Sequence, residues 1–434
     1  MTAVAHRPPL DPPRPASHRM FRSLHVRNYR LYAGGQLVSL TGTWMQRVAQ
    51  DWLVLELTNS GTALGIVTAL QFGPALIVGL WGGVLADRGD KRRMLLATQA
   101  GLAAVALLLG LLTVTGAVAY WHVLALALVL GLVTAIDSPI RQSFVIEMVG
   151  KDDLVNAVGI NSTIFNAGRI IGPAVAGVMI SAVGTGWAFL VNALSSVAVL
   201  AALSAMRVDE LHPSTPLRSA KGQLREGFRY VRRRTDLLLT MVLIFVIGTF
   251  GLNFAITTAL MAKQVFHHGA TGYGLLSTML AVGACVGAIA ATMRTRRPSQ
   301  MFLVLAAVAF SVLEIASGLM PSFLATAIVL VPTGLAMLTV TTACNSTIQL
   351  GVDATMRGRV MALYLVCFMG GTPLGAPIVG WLAGTAGARW GLIGGGLICL
   401  LATAALAVTF AHRRGLSAGD LAGRLQALPV LSRA

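Results

Sequence analysis

The chain has 434 residues, 56% of them hydrophobic and 11% charged, with a formal net charge of +17 and a mean hydropathy of +0.75. Soluble domains carry about 25% charged residues, so this composition excludes a soluble fold and predicts an all-α membrane protein with many spans. The apolar runs are roughly 20 residues long and do not alternate, which excludes a transmembrane barrel.

Residues 1–30 are rich in Pro and Arg and have no apolar core, so they read as a disordered tail rather than a signal peptide. Twelve spans follow: 31–57, 62–86, 94–116, 121–144, 156–182 and 187–206, then 237–262, 273–293, 301–320, 322–348, 358–384 and 390–412. The first is unusually polar. The stretch GGVLADRGDKRR (82–93) separates the second and third spans, and charge this dense belongs in a water-exposed loop. The longest gap, 207–236, carries a basic segment, Leu224–Arg234, expected to lie on the membrane surface as an amphipathic helix. A short Arg-bearing tail, 413–434, closes the chain.

All but four of the 33 Lys and Arg residues fall in the tails or at alternate gaps. The exceptions are Lys263 and Arg389 at opposite gaps, and Arg47 and Arg169 inside spans. This is the positive-inside pattern, which places both termini in the cytoplasm and accounts for the charge without a nucleic-acid partner. The mid-chain gap divides the chain into an N-terminal half, 31–206, and a C-terminal half, 237–412, joined by a linker at 207–236. The halves echo one another: Gly168, Gly172 and Gly177, with Pro173, in the fifth span match Gly371, Gly375 and Gly380 in the eleventh at a constant offset. Two parallel six-helix repeats suit alternating access.

With these features together, the sequence resembles the major facilitator superfamily. Gly83, Asp87-Arg88 and Lys91-Arg92-Arg93 are similar to the superfamily's loop motif between helices 2 and 3, although Asp90 stands where a glycine is usual. The glycines and Pro173 of the fifth span resemble the exporter motif. The first span from Ser39 to Thr58, the Asp137-Ser-Pro-Ile-Arg141 stretch and Arg357-Gly358-Arg359 resemble the enterobactin-exporter-like branch. The resemblance implies a fold of two pseudo-symmetric six-helix bundles in a bacterial plasma membrane. It implies a monomeric, proton-coupled exporter of a siderophore-like, drug-like or secondary-metabolite small molecule. A facilitator or importer of another solute is the alternative within the class, and a non-transporting receptor or scaffold outside it. Buried charge argues against a scaffold.

The resemblance also implies a cytoplasmic gate in which Gly83, Asp87, Arg88, Arg92, Asp137 and Arg141 meet Arg357, Gly358 and Arg359. Arg47, Gln50 and Asp51 sit in the outer half of the first span, with Arg47 and Asp51 on one helical face. They read as a substrate or proton site, or as a static ion pair. Asp51 serves as a proton carrier only if Arg47 changes partner during the cycle. Arg169 is a further candidate for substrate contact, and Glu314 has a structural reading. Cavity candidates are Gln71, Phe72, Asn161, Asn166, Asn253, Asn345 and Tyr364. No catalytic constellation or metal-ligand spacing is present, no cofactor is implied, and no phosphate-binding glycine loop points to ATP.

Overall fold

In the computed structural model the described residues are 21–212, 223–294 and 297–413; the side chains of 79–88, 223, 224 and 413 lie outside them. Twelve long helices run through the molecule, and the described residues contain no strand. In the first half these are α1 (Arg27–Thr58), α2 (Gly61–Arg88), α3 (Lys91–Val114), α4 (Tyr120–Val149), α5 (Leu154–Val183) and α6 (Thr185–Ser204). In the second half α7 covers Thr235–Val265, followed by α8 (Ala270–Thr292), α9 (Gln300–Leu319), α10 (Phe323–Gly351), α11 (Arg357–Thr385) and α12 (Ala388–Arg413). Eleven are long and apolar enough to cross a membrane. The remaining helix, α1, is long enough at 32 residues but carries Gln36, Gln46, Arg47, Gln50 and Asp51, the polarity that the sequence leads one to expect.

Local chemistry sets several helix ends. Asp90, at the position where a glycine is usual, is the N-cap of α3 and accepts from the Arg93 amide at 3.1 Å. Gly150 and Gly184 close α4 and α5 with φ of 71° and 90°, a conformation that favours glycine. The two bases at opposite gaps cap carbonyls at helix C-termini. Lys263 donates to Leu55 O at 2.5 Å, and Arg389 donates to Gly318 O and Met320 O at 2.9 and 2.6 Å.

The glycine repeat corresponds to a repeat in packing. Gly168 and Gly172 of α5 abut Leu40, Thr41 and Trp44 of α1, while Gly177 abuts Ala270, Thr271 and Gly274 of α8. Gly371 and Gly375 of α11 abut Gly248 and Thr249 of α7, while Gly380 abuts Gly61 and Thr62 of α2. Each motif helix thus packs its first two glycines on helix 1 of its own half and its third on helix 2 of the other half. The chain folds as two pseudo-symmetric six-helix bundles. A Cβ at Gly371, Gly375 or Gly380 would drive into backbone, one at Gly172 into the Trp44 Cβ, and one at Gly168 or Gly177 would be crowded, so small residues are what permit the approach.

The inter-bundle seams are tight at the end of the molecule opposite the basic loops. There Ser181 and Thr271 share a hydrogen bond of 2.7 Å, and Thr271 Oγ1 donates to Gly177 O at 3.1 Å. A Cβ on Gly61 would lie 2.6 Å from Gly380 O. Towards the basic end the facing surfaces of α5 and α8 become exposed. The α5 face that packs through Gly177 continues at helical spacing through Asn166, Ser162 and Gly159. There Ser162 and Gly159 are exposed, and an added Cβ at Gly159 would meet nothing within 4 Å. On α8, Ile289 and Met293 are exposed at 61% and 82%.

The linker helix, Gln223–Arg233, docks against the start of α11 instead of lying free. Gly227 allows close approach to Arg359, Glu226 pairs with Arg359 at 3.1 Å, and Tyr230 Oη donates to Asp353 at 2.9 Å. Its exposed face carries Arg225, Arg229, Arg232 and Arg233.

Candidate functional site

A cavity of about 200 Å³ lies between the bundles. The first half contributes Trp44, Arg47 and Asp51 from α1, Gln71 and Phe72 from α2, and Arg169 and Pro173 from α5. The second half contributes Leu252, Phe254 and Thr258 from α7, Tyr273 and Ser277 from α8, and Met337 from α10. Here α7 departs from regular helix, with π-helical turns at Ile247–Gly251 and Met261–Val265 around a break at Leu252–Asn253. Such interruptions occur where a membrane helix lines a site.

Three of the wall's residues are charged, and they do not form ion pairs with one another. Asp51 instead accepts a hydrogen bond from Tyr273 Oη at 2.6 Å, a bond from one half to the other. Tyr273 is 1% exposed and stacks on Trp52 with ring centroids 6.4 Å apart. The guanidinium of Arg47 lies 4.7 Å from the centroid of Trp44 and 5.6 Å from that of Phe72. That of Arg169 lies 5.9 Å from the Trp44 centroid. The cavity is thus apolar and aromatic, with two cations and one carboxylate on its wall, a lining suited to holding a small molecule by shape, stacking and charge.

Of the expected residues, the structure gathers Arg47, Asp51, Gln71, Phe72 and Arg169 on this wall. It places the others elsewhere. Gln50 is buried at 3% exposure and is not on the wall. Asn161 accepts from Tyr29 Oη at 3.0 Å near the basic end. Asn166 turns back to Ser162 O at 2.8 Å, and Asn253 to Thr249 O at 2.7 Å. Asn345 accepts from Gln349 at 2.6 Å. Tyr364 is buried against Thr341 O at 3.3 Å and stacked on Phe368. Glu314 is 2% exposed within α9, and its Oε2 has no hydrogen-bond partner among the described residues. The sequence did not point to Tyr273, nor to the other second-half wall residues Leu252, Phe254, Thr258, Ser277 and Met337.

The gate residues are likewise separated. Asp137, 2% exposed, accepts from Thr98 at 2.7 Å, Gln99 at 2.8 Å and Arg141 Nε at 2.9 Å. Arg141 also donates to Gln36 at 2.7 Å, so this knot ties α1, α3 and α4 within one half. Arg92 donates to Leu203 O and Ser204 O at the end of α6, at 2.6 and 2.8 Å. Arg359 is held by the linker helix, and a Cβ on Gly358 would meet nothing within 4 Å. The side chains of Gly83, Asp87 and Arg88 lie outside the described residues. In the second half, Arg297 pairs with Asp236 at the start of α7 at 2.9 Å.

Residues 14–428 match the sequence profile of the transmembrane secretion effectors, a family of the major facilitator superfamily. The chain belongs to this family. Among its relatives, this chain is 27% identical to the staphyloferrin A transporter of Staphylococcus aureus, over 57% of its own length and 62% of that protein. The match thus spans somewhat less than two thirds of that relative. The enterobactin exporter EntS of Citrobacter koseri is 25% identical, over 84% of this chain and 86% of its own. A bacterial homolog of the human lysosomal transporter Spinster, in an inward-facing and unoccupied conformation, superposes with a TM-score of 0.67 at 16% identity, covering 91% of this chain and 96% of that one. At that identity the likeness concerns the fold. The chain is therefore a multi-pass membrane protein of transporter fold.

Proposed function

We propose that this chain is a proton-coupled secondary exporter of a siderophore-like or drug-like small molecule, working by alternating access as a monomer in a bacterial inner membrane. In this reading residues 31–206 and 237–412 rock as two bodies joined by the 207–236 linker. The basic end faces the cytoplasm, as the distribution of Lys and Arg favours, so the conformation described is open inward. Asp51 is the proton carrier, and Tyr273 is the partner that it must release.

The observation that carries the reading is the cavity itself. Two halves wall a pocket with buried charge, with close packing at one end and exposed facing surfaces of α5 and α8 at the other. A scaffold has no use for such a cavity or for its buried charges. The export direction and the substrate class draw on the staphyloferrin A transporter and the enterobactin exporter. The gate is proposed for the opposite conformation: Asp87, Arg88 and the Asp137–Arg141 pair approach Arg357–Arg359 when the basic end closes, and Arg359 then leaves Glu226.

The test is transport in reconstituted vesicles with an imposed pH gradient, using enterobactin and staphyloferrin A as probes. Accumulation that collapses with the gradient is expected. Probe movement that ignores the gradient removes proton coupling, and absence of movement for both probes removes the exporter reading for this substrate class.

A further inference from the structure

The two cavity arginines differ from several other described arginines, whose guanidiniums are held by acids or carbonyls. Arg141 is held by Asp137 and Gln36, Arg92 and Arg389 by carbonyls at helix ends, and Arg297 by Asp236. Arg47 and Arg169 touch rings only, at the distances given above, and neither has a hydrogen bond or ion pair among the described residues. The indole Nε1 of Trp44, the ring that they share, is also buried without an acceptor. The acid on the wall, Asp51, is engaged by Tyr273; it lies near enough to Arg47 to interact with its charge but makes no direct ion pair with it, so it offsets one of the two cations at most.

Unpaired guanidinium charge inside a membrane protein is costly and calls for a counter-charge. A guanidinium held against a ring keeps its N–H donors in its own plane, free to fork onto a carboxylate. We propose that the cavity selects anions: the transported molecule presents carboxylate or phenolate groups to Arg47 and Arg169, and an attached ring lies against Trp44 and Phe72. A cationic molecule would meet two like charges here. This specificity rests on the cavity being the transport site.

The experiment uses the purified full-length protein and three ring-sized probes: phthalate, its neutral dimethyl ester, and the cation benzamidine. Binding is read by thermal unfolding and titration calorimetry. Phthalate is expected to stabilise the protein, and the ester and benzamidine to leave it unchanged. Arg47→Gln and Arg169→Gln should each weaken phthalate at least tenfold, about 1.4 kcal/mol, with Arg169→Lys recovering part of the loss. The proposal is overturned if benzamidine or the ester binds as well as phthalate, if phthalate has no effect up to its solubility, or if both Gln variants bind it normally. Should a Gln variant fail to fold, the ranking of the three probes on the unmodified protein decides. Phthalate binding without transport in vesicles would remove the exporter reading and leave the anion site standing. Gradient-driven transport of a cation without phthalate binding would do the reverse.

Discussion

Removing one hydroxyl should move the balance between the two conformations. Tyr273 Oη donates to Asp51 at 2.6 Å and is the direct polar link between the halves on the cavity wall. Tyr273→Phe deletes that bond and keeps the ring stacked on Trp52. A hydrogen bond to a carboxylate contributes about 1.5–3 kcal/mol. Asp51 retains access to the cavity, which offsets part of the loss, so about 2 kcal/mol is expected, or roughly a 30-fold rise in the population open at the sealed end. The reporter is Ala270→Cys, 3% exposed and packed against Gly177, in a chain whose four native cysteines are replaced by Ala. A hydrophilic maleimide reaches it only when the α5–α8 seam opens. The labelling rate in detergent should rise by about the same roughly 30-fold factor in the Phe variant. Equal rates with Tyr and Phe would refute the role assigned to this bond.

Two further outcomes follow from the same geometry. Asp51→Asn should abolish the dependence of transport on the pH gradient while leaving phthalate binding measurable; an unchanged pH profile would exclude Asp51 as the carrier. Gly375→Ala should lower stability by about 1–3 kcal/mol, because its Cβ would drive into the Thr249 carbonyl. Gly358→Ala, with open space around it, should be neutral or stabilise by about 0.5–1 kcal/mol. Thermal unfolding of the two purified variants checks the contrast, and equal effects would contradict the packing described.

What was legible in the sequence was what leaves a one-dimensional mark. Apolar runs of membrane length and alternating loop charge set out the twelve helices and their grouping. The glycine spacing of the fifth and eleventh spans stood out because close helix approach tolerates few residue types, and the same contacts recur in both halves. Arg47, Asp51 and Arg169 were found because charge within an apolar run is rare. Tyr273 left no such mark. A tyrosine near the start of a span reads as an interfacial anchor, and its partner lies 222 residues away. The amides divide for a related reason: residue type says nothing of depth or facing, so Asn161, bonded to Tyr29 of another helix, and Gln71, on the cavity wall, look alike in sequence.

The central claim is that the seam between α5 and α8 must open for transport. Ser181 and Thr271 face each other across it with their hydroxyl oxygens 2.7 Å apart, close enough for a disulfide between cysteines at these positions. The decisive measurement is transport by the Ser181→Cys/Thr271→Cys variant in vesicles before and after oxidation, with the native cysteines replaced. The account predicts that oxidation stops transport and that a reductant restores it, with each single-cysteine variant unaffected. Full transport by the cross-linked protein would contradict it.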